Sequence, residues 1–110
     1  MILASPLQFT TCDWSAVPET THAGESGAAV SKTQYYGTMR VRMVRYSAGY
    51  LADHWCTRGH LLLVMDGTLV TEVKGQLTVT LTAGQMYVVA DGASEHRSRT
   101  ETGATLFIVD

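Results

Sequence analysis

From Gln34 onward, glycine-containing turns cut the chain every five to ten residues, leaving no room for a helix of ordinary length. The turns KGQ (74–76), AGQ (83–85), DGAS (91–94) and ETGA (101–104) bracket the runs LTVTLT, MYVVA, EHRSRT and TLFIVD. In LTVTLT, Leu77, Val79 and Leu81 alternate with threonines, the period-two signature of a strand with one buried face. MYVVA (86–90) and LLLVM (61–65) are apolar throughout and predict strands buried on both faces. TMRVRMVRYS (38–47) predicts a strand of mixed alternation, SAGYLAD (47–53) a break, and DGT (66–68) a hairpin turn before LVTEV. Short strands at regular spacing, with no βαβ alternation and no internal repeat, predict an all-β sandwich or closed barrel.

Residues 1–34 read differently. VPETTHAGESGAAVSKT is rich in Gly, Ser, Thr and Ala without a helical stripe. It predicts a loop-rich N-terminal arm packed on a barrel core of residues 35–110, with Trp14 as an anchor. The whole is one domain, since 110 residues suffice for a single core.

Composition sets limits on function. Hydrophobic residues make up 45% and charged residues 16% of the chain, a globular balance. A net charge of −2 argues against a nucleic-acid partner. No run reaches the roughly 18 apolar residues of a membrane helix, and the N-terminus lacks the basic start and apolar stretch of a signal peptide. Two cysteines, Cys12 and Cys56, do not make a disulfide scaffold. A cytoplasmic protein with reduced thiols is the expectation.

The chemistry-bearing residues concentrate in ADHWCTRGH (52–60). His54 and Cys56 are two apart and share a face in an extended strand, and His60 shares it if the strand continues. His96 lies on a later strand that antiparallel pairing can bring alongside. Imidazole and thiolate are natural zinc ligands and also serve iron, nickel and copper. Singly, each of these residues is more often a packing residue; jointly they predict one metal site. On the preceding strand Arg40, Arg42 and Tyr46 share parity, so Arg42 and Tyr46 are candidates to hold an anionic small-molecule ligand, against the alternative of outward, solvated arginines. Asp53 and Trp55 are expected on the opposite face, Arg97 and Arg99 in solvent, Glu95 in a turn, His22 at the surface and Cys12 as a packed thiol.

These residues resemble the two motifs of the cupin superfamily, small jelly-roll β-barrels. The first motif has the form G-x5-H-x-H-x3-4-E-x6-G; His54 and Cys56 stand at its two histidines, His60 at its glutamate and Gly67 at its closing glycine. In the second motif, G-x5-P-x-G-x2-H-x3-N, Gly84, Gly92 and His96 match, His96 one residue late. Ala90 replaces the proline and Thr100 the asparagine. Asp53, His54, Trp55 and Cys56 further resemble the branch named for a DHCW motif. The resemblance implies a cupin-type jelly roll holding one divalent metal through His54, Cys56, His60 and His96, and a homodimer that covers an exposed sheet edge. Thiolate in place of carboxylate softens the site and favours zinc, with iron or nickel as alternatives. Two functions follow: a metal-dependent oxygenase or isomerase acting on a small polar molecule, or a non-catalytic binder or sensor whose metal is structural.

Overall fold

The structure is a computed structural model, and it describes residues 7–110. Among these, eight strands and one 3-10 turn (Trp14–Ala16) are formed. The strands are β1 (Thr20–Ala23), β2 (Ala28–Tyr36), β3 (Met39–Tyr46), β4 (His60–Val73), β5 (Leu77–Thr82), β6 (Met86–Val89), β7 (His96–Arg99) and β8 (Ala104–Val109). Every pairing is antiparallel.

β4 belongs to two sheets. Its first half pairs with β8 and β6, which places it in the larger sheet β1-β2-β3-β8-β4-β6. Its second half, from Thr68, lies between β5 and β7. The crossover is the DGT segment, which the sequence predicts as a hairpin and which is instead a bend inside one fourteen-residue strand. A register shift between Val64 and Asp66 inserts the bulge. Gly67 then takes φ +81°, a region that side chains with a Cβ resist. A Cβ there would also collide with the carbonyl oxygen of Gly103. A bulge plus a glycine bends a strand as readily as a turn reverses one, and the local sequence does not distinguish them.

The N-terminal arm is corrected in the same way. Within the arm expected to be irregular up to residue 34, residues 20–23 form β1 and residues 28–34 form most of β2; the nine-residue β2 aligns with β3 along its length. Its alternation is hidden because the inward residues are small or polar: Ala29, Ser31 and Thr33. Residues 1–6 of the predicted arm lie outside the described residues. Trp14 is half-buried, and its carbonyl accepts a hydrogen bond from Lys32 Nζ at 2.9 Å. The MYVVA strand is not buried on both faces either: β6 is an edge strand, with Met86 and Val88 45% and 71% exposed.

The core lies between the sheets. Val64, Leu69 and Leu106 are completely buried, with Leu62, Val44 and Ile108 nearly so. Burying each such side chain stabilises the fold by roughly 1.5–3 kcal/mol. An irregular segment closes one flank: Leu51 bridges both Ser26 and Arg99, and Cys56 bridges His96. Residues 51–56 therefore run beside β7 and tie the smaller sheet to the β1–β2 end. They also form one wall of a cavity of about 620 Å³.

Candidate metal centre

Cys56 and His96 meet by backbone pairing. Cys56 N–H donates to the carbonyl of His96 at 2.7 Å, and His96 N–H donates to the carbonyl of Cys56 at 3.0 Å. Residues that exchange both bonds lie directly opposite each other with side chains on the same face. His60 enters from the first residue of β4, and its Nε2 lies 3.2 Å from His96 Nε2. The ligand atoms of Cys56, His60 and His96 all fall within 4.8 Å of one another. Gly59 makes the approach to His60 feasible: its N–H donates to Asp91 Oδ1 at 2.6 Å, and a Cβ there would strike the backbone of residues 89–91.

The donor set fits a soft or borderline divalent ion. His96 Nδ1 faces the carbonyl of Ser94 at 3.1 Å, a contact that places the ring proton on Nδ1 and leaves the Nε2 lone pair available to a metal. Burial, then the proximity of His96, pushes the pKa of His60 down to about 4, so its ring is neutral near pH 7. Tyr87 O–H stands 2.9 Å from His60 Nε2, and burial raises its own pKa to about 12, so it remains a phenol. Two imidazole Nε2 atoms 3.2 Å apart need a proton or a cation between them. Metal ligation by neutral imidazoles and a thiolate is the arrangement such a site supports.

His54, the fourth residue of the predicted set, stands outside this group. Residues 53 and 54 form a bend, which breaks the two-residue alternation linking His54 to Cys56. His54 Nδ1 is 2.7 Å from Asp53 Oδ1, and its side chain is 70% exposed. Asp53 also lies 3.5 Å from His22 Nε2. His54 lines the mouth of the same cavity without joining the three donors. The bend also turns Asp53 and Trp55, expected to face away, onto the cavity wall. Trp55 packs under the guanidinium of Arg97, 4.8 Å from its ring centre, and beside Lys74 at 5.4 Å. Arg97 is thus half-buried rather than solvated.

Arg42 and Tyr46 face the cavity, as their parity predicts, together with Arg40. Tyr46 stacks on Tyr50 with ring centres 4.1 Å apart, and burial raises its pKa. Arg40 grips Asp110 through two 2.8 Å bonds. Asp110, with a side chain 1% exposed, is a cavity-lining residue that the sequence does not single out; it reads as the end of a strand, yet it follows the inward parity of Leu106 and Ile108. Tyr87 was missed because MYVVA reads as uniformly apolar. Arg99 and Glu95 form surface pairs with Glu72 (2.8 Å) and Lys74 (3.0 Å). Thr100, at the motif's asparagine position, donates to the carbonyl of Thr68 at 2.6 Å, a structural role.

No family model matches the sequence, and no curated protein matches it. Solved structures do match. Their descriptions include a cupin-2 domain protein and a cupin-like protein. A cupin-2 domain protein from Shewanella frigidimarina is similar at 21% identity and TM-score 0.59, over 73% of this chain and 78% of its own. A predicted oxalate decarboxylase from Thermotoga maritima is similar at 12% identity and TM-score 0.77, over 91% and 96% of the two chains. Ectoine synthase from P. lautus is similar at 19% identity and TM-score 0.72, over 92% and 76%. The chain therefore has the cupin fold.

Proposed function

We propose that the protein binds one divalent metal, zinc before iron or nickel, through Cys56, His60 and His96, and acts as a metal-dependent oxygenase or isomerase on a small polar molecule. The observation that carries this reading is the convergence of three ligand atoms within 4.8 Å at the wall of a cavity of about 620 Å³. Three protein ligands leave a coordination position open, the mark of a catalytic site. When bound, the ion supplies Lewis acidity. The chain's own residues supply the rest: Tyr87 holds a proton 2.9 Å from His60 Nε2, and Arg42 and Tyr46 orient the ligand from β3. Among structures of the same fold are an ectoine synthase and a predicted oxalate decarboxylase, both described as enzymes.

A second reading has its own observation. His54 lines the same cavity on an exposed bend. Were it to turn inward as a fourth ligand, the tetrahedron would be full and the metal structural, in a binder or sensor.

No helix of the described residues is long and apolar enough to cross a membrane, and we place the protein in the cytoplasm, with reduced thiols, consistent with two free cysteines. We also place it in a homodimer through the larger sheet, whose outer face exposes Met65, Met86 and Val88 beside the free edge of β6.

Elemental analysis tests the reading. Wild-type protein is expected to carry about one metal per chain, His96→Ala several-fold less, and His54→Ala the wild-type amount. Equal metal in wild type and His96→Ala removes His96 from the site. Loss of metal in His54→Ala favours the four-ligand structural reading.

A further inference from the structure

Three arginines share one carboxylate on the cavity wall. Asp110 accepts from Arg40 Nε and Nη2, each at 2.8 Å, and its Oδ2 is also 3.4 Å from Arg42 Nη2 and 3.4 Å from Arg58 Nε. The fork of Arg40 uses both oxygens, so Arg42 and Arg58 reach only the flank of one of them. Among the side chains, three guanidiniums face one carboxylate. The other acidic side chain at the cavity, Asp53, is engaged by His54 and His22 at the mouth.

Arg42 shows the imbalance most clearly. Its side chain is 22% exposed, and its Nε is buried without a hydrogen-bond partner. Burial, then the positive charge of Arg40, works against its own charge, and Asp110 offsets this only in part. A buried donor left unpaired is costly in a folded protein, and such groups call for a partner. Thr33, paired with Arg42 across β2 and β3, adds a hydroxyl to the same stretch of wall. Arg58 is 54% exposed and points into the cavity's open side. Asp110 thus serves as a fixed strut: it holds the guanidiniums together without neutralising them.

We infer that Arg42 and Arg58, braced by Asp110 and Arg40, form a binding site for the oxyanion group, carboxylate or phosphate, of a small molecule that occupies the cavity next to Cys56, His60 and His96. The inference deepens the proposed function by naming the substrate class, and it rests on that reading only for what happens at the metal end. Planar guanidinium donors bind such oxyanions in a two-pronged way.

The test uses the full chain stripped of metal with a chelator, titrated calorimetrically at fixed ionic strength with malonate, with inorganic phosphate and with neutral malonamide. Saturable binding of malonate or of phosphate, and none of malonamide, is expected; which anion binds identifies the source of the oxyanion. Arg42→Gln should weaken that binding by roughly tenfold or more, the scale of losing a hydrogen bond to a charged group, while Arg99→Gln, on the outer surface, leaves it unchanged. Should Arg42→Gln fail to fold, the half-exposed Arg58→Gln provides the same reading. No saturable anion binding to wild type, equal binding of malonamide, or full affinity in a folded Arg42→Gln or Arg58→Gln overturns the inference. Metal content of the protein before chelation, measured separately, keeps the two readings apart: no bound metal before chelation together with anion binding overturns only the metal reading, and bound metal without anion binding overturns only this one.

Discussion

The two ends of β8 teach opposite lessons. Ala104, Leu106 and Ile108 point inward and are buried among other apolar side chains; two residues further along the same face, just past the strand, the Asp110 side chain is 1% exposed among three arginines. β4 repeats the contrast, with Leu62 and Val64 in the core and His60 at the cavity, and so does β3, with Val44 against Arg40 and Arg42. At the core end, burial alone explains the residue types. At the cavity end, burial works against them, since charged and imidazole groups lose hydration there. Burial does not account for these residue types, and the proposed metal and oxyanion sites do.

The contrast can be broken at several points. The largest effect is expected in the core: Leu106→Ala should lower the unfolding free energy by about 2–5 kcal/mol, the range for a buried leucine, while the folded fraction keeps its metal. Urea denaturation and metal analysis measure both. A change below 1 kcal/mol would mean that the sandwich does not pack as described.

Next comes acid sensitivity at the cavity end. In metal-free protein the folded-state pKa of His60, about 4, lies below its ordinary value of 6.5. The unfolded chain therefore takes up a proton first, and stability falls as pH drops from about 6.5 towards 4. The full shift corresponds to about 3 kcal/mol. His60→Gln should flatten this dependence, whereas a profile as steep as wild type would assign it to other groups.

The smallest effect belongs to the surface. Arg99→Ala removes an exposed pair with Glu72 and should change stability by less than about 1 kcal/mol. A larger loss in thermal unfolding would show that β7 depends on that pair.

Legibility in the sequence followed the same division. The apolar end of each strand announced itself by period and turn spacing, so the all-β class and six strands from β3 onward were readable. DGT was misread because a bulge with a left-handed glycine and a hairpin share the same residues. β2 was hidden because its inward face carries Ala29, Ser31 and Thr33, a composition suited to a cavity wall. The parity of Arg42 and Tyr46 was readable. The pairing of Cys56 with His96 was anticipated from residue chemistry, but its register was not, since register between distant segments depends on the whole sheet. His54 was grouped with them by an alternation that the bend at residues 53–54 ends. Asp110 and Tyr87 escaped notice because apolar strand neighbours surround them in sequence.

The central claim is that Cys56 supplies a thiolate to a metal shared with His60 and His96. Cobalt(II) substitution tests it most directly, because a cobalt–thiolate bond gives an intense near-ultraviolet charge-transfer absorption. The account predicts that band at one equivalent of cobalt in wild-type protein and its loss in Cys56→Ser. Stoichiometric cobalt binding without the band, or the band undiminished in Cys56→Ser, would contradict it.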